Sequence, residues 1–303
     1  MALEWLSNKS KQGEVMERVF IIAAKPEASV DVLELGLSIA KSLGMVAEVF
    51  DYLYEQFNGD EKYNPRLAGV AKHDMLAEAK NRHTQSLEKL GAVSTPLTIE
   101  WGSHLAEHAI SRASPADYHL MIKAVHPVQR FMPTDWHLIR NARIPLLLVT
   151  EKPLKNSNIT LVSLNLDDPN GDEKNFSLVA QGHKLAKATD TELHLVFVKK
   201  VSTVMRDLDL SSPQAELDAA HAKYDQRLQS FGVATEALHL MVGDPKLCLI
   251  DLSCKLKSAY LVVGTEQRKG LMGLMIGNTA EAILEHIHSN VLVVPSKGEP
   301  LPI

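Results

Sequence analysis

Gly264-Thr-Glu-Gln-Arg-Lys-Gly-Leu-Met-Gly-Leu-Met-Ile-Gly277-Asn-Thr-Ala-Glu281 joins an apolar run, Tyr260 to Val263, to the start of a helix. A glycine at the end of a strand lets bare backbone come close to a ligand, and the glycines at 270, 273 and 277 keep the return path unencumbered. Asn278 suits a helix N-cap, and Glu281, three residues on, is placed to reach back to the cap N–H. The first turn of such a helix has unpaired N–H groups and a partial positive charge, so the stretch reads as a loop for an anion, phosphate above all. It is neither the G-x-x-x-x-G-K-[ST] of a P-loop nor a G-x-G-x-x-G fingerprint.

Outward from this loop, buried strands alternate with amphipathic helices. The first half has strands at Val19–Ala24, Met45–Tyr52, Pro96–Trp101, His119–Lys123 and Pro145–Thr150. Between them fall helices from Val30 to Leu43, closed by Gly44, then from about His73 to Leu90, Leu105 to Ser111 and Thr134 to Asn141. After a polar linker the order repeats. Strands are expected at Ile159–Asn165, Thr191–Val198, Ala237–Val242, Tyr260–Val263 and Val291–Val294, with helices near 173–188, 213–230, 246–257 and 279–288. The chain is an internal duplication of an α/β unit. We expect two tandem doubly wound (Rossmann-like) domains, residues 18–150 and 158–303, joined by residues 151–157 and preceded by a polar tail, 1–17. Each sheet is expected in the order 3-2-1-4-5, with a pocket where that order switches. The fifth strands are too apolar for bare edges, so they are expected to pair with each other as an intrachain pseudo-dimer, with room for a further homodimer.

Aligning the halves sets Lys25 on Asn165, Trp101-Gly102 on Val242-Gly243 and Lys123 on Gly264, while the fifth strands align four residues later. In place of the glycine loop the first half has Lys123-Ala-Val-His-Pro-Val-Gln-Arg-Phe-Met-Pro133, with no glycine, whose side chains would fill a phosphate space.

Gly264 and Gly277, with twelve residues between them, resemble the signature of the universal stress protein family: Gly-x-x-Gly, nine residues, then Gly-Ser/Thr, which in that family wraps the ribose and phosphates of ATP. Gln267 replaces the second glycine and Asn278 the Ser/Thr. The run Thr134-Asp-Trp-His137, together with Gly277-Asn-Thr-Ala-Glu281, resembles the tandem members of the family, over residues 18 to about 297. The resemblance implies a cytoplasmic bacterial stress-response protein that binds rather than catalyses. It implies a degraded site for ATP or another adenine nucleotide in the second domain only. The residues implied are Asn165, where the family has an Asp on the adenine and ribose side, Val198 and Val263 lining the pocket, and Gly264, Gln267, Arg268, Gly277, Asn278 and Thr279 along the loop.

Each has a plainer alternative. Asn165 serves as a strand end satisfying backbone, Val198 as core, and Arg268 with Lys269 as solvated cations. Two other classes stay open: a carrier of an apolar small molecule, with Met272 and Met275 lining it, and a very slow ATPase or ATP-dependent switch. A metal reading of His286 and His288, or of His126 and His137, needs ligands from elsewhere in the chain. Asp135 is explained by capping and packing in a helix first turn, and no G-x-S-x-G offers a hydrolase nucleophile. Both halves are mildly acidic, with 32 Lys and Arg against 37 Asp and Glu in all, which disfavours nucleic acid as a partner. No run has the length of a membrane span, and the N-terminus has no signal-peptide core. The two cysteines, Cys248 and Cys254, sit on one helix and cannot pair locally, which suits a reducing compartment.

Overall fold

The computed structural model describes residues 17–25, 31–125, 133–150, 157–169, 171–200, 212–265 and 289–295. The first half runs β1 (Arg18–Ile22), α1 (Val32–Leu43), β2 (Val46–Leu53), α2 (Pro65–Lys89), β3 (Leu97–Trp101), α3 (Leu105–Arg112), β4 (Tyr118–Ala124), α4 (Pro133–Asn141) and β5 (Leu146–Val149). The second runs β6 (Ile159–Leu164), α5 (Asp172–Thr189), β7 (Glu192–Lys200), α6 (Pro213–Gln229), β8 (Leu238–Gly243), α7 (Pro245–Lys255), β9 (Tyr260–Gly264) and β10 (Asn290–Val294). Local chemistry sets the ends. Asp31 caps α1 by accepting the Glu34 N–H at 3.0 Å, and Gly44 closes it at φ 68°, donating its N–H to the Ala40 and Lys41 carbonyls.

One helix begins earlier than its periodicity predicts. α2 starts at Pro65, not near His73, because Asn64 accepts the N–H groups of Arg66 and Leu67 and Pro65 takes the first position, where no N–H is needed. The added two turns expose Leu67 and Val70, so they show no buried stripe for a periodicity argument to find.

All ten strands form one sheet, in the order β3-β2-β1-β4-β5-β10-β9-β6-β7-β8. Each half has the expected 3-2-1-4-5 order, and every ladder is parallel except β5 with β10. There Leu148, Leu147 and Leu146 face Val291, Leu292 and Val293. At one end of this seam Asn290, almost fully buried, accepts the Thr150 N–H at 2.9 Å and the Thr150 hydroxyl at 3.3 Å. Two apolar layers cover the sheet, and each runs through both halves. One lies under α1, α2, α5 and α6, through residues such as Leu33, Leu87, Leu185 and Leu228. The other lies under α3, α4 and α7, through Ala109, Leu138 and Leu252.

On the first face α1 and α5 pack against each other, and each presents a glycine to the sheet. A Cβ on Gly36 would lie 2.6 Å from Ile21 Cδ1, and one on Gly182 would lie 2.4 Å from Val162 Cγ2. This contact equates Ile21 with Val162 and corrects the alignment of the halves. Ile21 pairs with Ile122 and Val162 with Val262, so Lys123 corresponds to Val263 and Ala124 to Gly264. By the same register Ala24, not Lys25, corresponds to Asn165. Ile122 and Val262 are 140 apart, and their neighbours Leu147 and Leu292 are 145 apart, so the first half is shorter there by five residues rather than four. Strands buried on both faces carry no polar alternation, and sequence alone has nothing to hold their register.

Gly182→Ala is expected to cost about 1–3 kcal/mol by overpacking, whereas Gly69→Ala, at an exposed α2 position with nothing within 4 Å of the new methyl, should stabilise by about 0.5–1 kcal/mol. Urea unfolding of the two variants checks the contrast.

Candidate functional site

In the second half β7, β6 and β9 are neighbours, and the strand order switches between β6 and β9. Their carboxyl ends carry Val198, Asn165 and Gly264. In open α/β sheets the crevice at this point is the ligand position. Asn165, the exposed residue after β6, has its backbone locked. Its N–H donates to Asn175 Oδ1 at 3.0 Å and its carbonyl accepts from Asn175 Nδ2 at 2.8 Å, with Asn175 itself buried on α5. The Asn165 side-chain oxygen accepts the Asp167 N–H at 3.2 Å, which turns the chain as the plainer alternative expects. Val198 and Val263 are buried and share the sheet face covered by α7. Gly264 points the other way: a Cβ there would lie 3.3 Å from Leu178 Cδ1, so this glycine makes room for α5. Gln267, Arg268, Gly277, Asn278 and Thr279 lie outside the described residues, as do Lys269, Met272, Met275, Glu281, His126, His286 and His288.

The loop after β6 is clamped by side chains that no sequence motif marks. Lys199 Nζ lies 2.7 Å from Asp167 Oδ1, and the Tyr224 hydroxyl donates to the same oxygen at 2.5 Å. Arg227, one helical turn beyond Tyr224 on α6, donates to the Leu166 carbonyl at 2.6 Å and the Asp168 carbonyl at 3.3 Å, and pairs with Asp172. Burial alone would raise the Asp167 pKa, but the hydrogen bonds from Lys199 and Tyr224 outweigh it and hold the carboxyl below its ordinary value. Sequence could place Lys199 at a strand end and Tyr224 and Arg227 on one helix face. It could not bring all three to one loop.

The corresponding positions in the first half are occupied differently. Val49 and Leu195, the partners of Ile21 and Val162, are 146 apart, so Tyr52 corresponds to Val198. The Tyr52 hydroxyl is hydrogen-bonded to His108 Nδ1 at 2.9 Å, and burial pushes its pKa well above the ordinary phenol value. Lys123, which corresponds to Val263, places Nζ 2.7 Å from Asp135 Oδ1 and donates to the Ala124 carbonyl at 2.9 Å. Asp135 is 0 % exposed. It is therefore half of a buried ion pair, a role that its first-turn position does not by itself suggest. His137 Nδ1 lies 3.6 Å from Glu107. Among the described residues no three His, Cys, Asp or Glu side chains are grouped to hold a metal ion. Both cysteines lie on α7 as free thiols.

Comparison with known proteins agrees with this architecture. Residues 167–295 match the sequence profile of the universal stress protein family. Across both halves, the chain is 26% identical over 273 residues to universal stress protein E of Escherichia coli, covering 84% of this chain and 85% of that protein. Residues 167–295 thus carry a universal stress protein domain, and the chain as a whole is similar to tandem universal stress proteins. A universal stress protein E homolog of Haemophilus influenzae is 27% identical over 216 residues, 66% of this chain and 70% of its own length. Among solved structures, a functionally unknown protein of Pseudomonas aeruginosa shares the fold with a TM-score of 0.68 at 20% identity, over 92% of both chains. A universal stress protein of Archaeoglobus fulgidus does so with 0.60 at 14% identity, over 92% of this chain and 98% of that one. The tandem fold is thus shared along nearly the whole length of this chain. Among its described residues no helix is long and apolar enough to cross a membrane.

Tyr224→Phe removes one of the two side chains that donate to Asp167 in this geometry. Because the folded carboxyl titrates below its unfolded value, the stabilisation it brings is complete above about pH 4 and is lost as pH falls through the folded pKa. The variant should therefore be less stable than wild type at pH 7, with the gap closing in acid, as read from urea unfolding at several pH values.

Proposed function

We propose that this chain is a universal stress protein, a cytoplasmic stress-response protein that binds one adenine nucleotide, ATP or a close relative, and does not turn it over. The site lies in the second of two domains, 18–150 and 158–303, at the carboxyl ends of β6, β7 and β9. Asn165 and the loop residues Gly264, Gln267, Arg268, Gly277, Asn278 and Thr279 surround it. The observation that carries the reading is the contrast at two equivalent positions. Val198 and Val263 leave an apolar wall suited to a purine ring, whereas Tyr52 and Lys123 fill the first-half equivalents with a phenol bonded to His108 and an ion pair to Asp135. The clamp of Lys199, Tyr224 and Arg227 supports it by fixing the loop that would face the ligand. The mild acidity of both halves favours a small-molecule partner over nucleic acid.

Titration calorimetry with ATP tests this. One equivalent per chain is expected, and Val198→Tyr, which installs the first-half residue, should weaken binding about tenfold or more, a loss of about 1.4 kcal/mol. Two equivalents, or a Val198→Tyr protein that is folded and binds ATP as wild type does, would overturn the assignment. A lipid-like mass retained in native mass spectrometry, without nucleotide, would favour an apolar-ligand carrier.

The two departures from the family signature make a separate prediction. Gln267→Gly with Asn278→Ser restores backbone freedom and a small hydroxyl, and should tighten ATP binding by about tenfold. The melting temperature without ligand should hardly change, because serine caps a helix about as well as asparagine.

A further inference from the structure

Among the described residues β8 is the edge of the sheet and pairs with β7 alone. Near the amino ends of these two strands His194 Nδ1 and His239 Nε2 lie 2.9 Å apart. The rings are 14° from parallel with centroids 5.2 Å apart. A ring nitrogen lies roughly 1.2 Å from its centroid by ordinary bond geometry, so two such radii plus the 2.9 Å contact account for the whole separation. The rings are edge to edge, with the two nitrogens aimed along one line. That is the geometry of a shared proton. A metal at about 2.1 Å from each nitrogen would need the lone pairs to converge to one side.

The surroundings favour one tautomer. Glu192 Oε2 lies 3.8 Å from His194 Nε2, beyond hydrogen-bond length but close enough for its charge to favour a hydrogen on that nitrogen, so we assign His194 Nδ1 as the acceptor. His239 Nε2–H is then the donor. Other titratable groups on the packed elements are already committed or outlying. Glu236 is in the exposed turn before β8. On α7, Asp251 is paired with Lys255 at 2.7 Å, Lys246 and Cys254 are at least partly exposed, and burial raises the Cys248 pKa. β6 contributes Ile159, Thr160 and Leu161 alongside, none of them titratable.

We propose that His194 and His239 form an acid-sensitive latch that holds the edge strand β8 to β7, keeping its N–H···N bond through a first protonation and losing it on a second. The added proton enters at His239 Nδ1, the shared proton passes to His194 Nδ1, and the positive charge comes to rest beside Glu192. The bond survives with its direction reversed. A second proton has only His239 Nε2 to go to, which is now the acceptor, so it breaks the bond and sets two cations side by side. Burial already holds both histidines below their ordinary pKa, with Glu192 offsetting part of this at His194. The neutral pair therefore stabilises the fold above about pH 6.5, and that contribution is lost as pH falls below it.

Nitrogen-15 NMR of the imidazoles on the full chain, from pH 8 to pH 4, tests the latch together with amide exchange of residues 238–243. His194 should gain its charge first, with macroscopic steps more than about one pH unit apart. Past the second step the β8 amides should exchange about tenfold faster than the intrinsic pH dependence predicts, while those of β6 do not change. Glu192→Gln should lower the first step, and His239→Gln should remove the acid response of β8. Two independent titrations at the ordinary histidine value, or β8 exchange that follows the intrinsic rate throughout, would overturn it. Both readouts are available on wild-type protein, so a variant that fails to fold does not protect the idea.

Discussion

The antiparallel pairing of β5 with β10 is the contact on which the rest of this molecule depends. Each half alone would end in a strand of nearly unbroken Leu and Val, with one row of backbone N–H and C=O groups unpaired, which is a strong template for association. Joining the two edges inside one chain satisfies those groups and makes two five-stranded sheets into one of ten. It also merges the apolar layers, so that α1 of the first half packs on α5 of the second. Glycines 36 and 182 allow that approach, since each helix sits so close to the sheet that a methyl would collide with Ile21 or Val162. Asn290 completes the seam by accepting two hydrogen bonds from Thr150 across it.

Because this one ladder is antiparallel in an otherwise parallel sheet, the carboxyl ends of the two sets of strands face opposite ends of the molecule. The two halves therefore present their switch points separately, and the two points differ in their residues. In the second half the positions above the sheet stay apolar and the flanking loop is clamped by Lys199, Tyr224 and Arg227. In the first half the same positions became Tyr52 and Lys123, each tied to a partner, and five residues of the following loop are gone. Removing Lys123 would take a 2.7 Å ion-pair partner from a buried carboxylate, so a change at this position is costly.

Much of this was legible in the residues. Runs such as Val19–Ala24 and Tyr260–Val263 are apolar on both faces and too short for buried helices, so they announce parallel strands. Their alternation with helices, and its recurrence after the linker, give the duplication and the strand order. The fifth strands declare their own pairing, because no solvent-facing alternation appears in either. Motif positions were equally plain, from Gly264 and Gly277 to the Thr134-Asp-Trp-His137 run. The capping pair Asn64-Pro65 also signalled where α2 begins, but a reading by apolar periodicity passes over two turns whose Leu67 and Val70 face solvent.

The sequence by itself determined which segments form strands and helices, that the unit is repeated, and that its edges must be covered, because these follow from local polarity and chain geometry. Tertiary structure alone decided the register between the halves, since doubly buried strands look the same when slid by one residue. It decided that the space a side chain on Gly264 would need is taken by Leu178, that Asp135 is half of an ion pair, and that Asp167 is gripped from Lys199 and from Tyr224. Each of these depends on which side chains meet across tens of residues of sequence, and no spacing along the chain encodes that meeting.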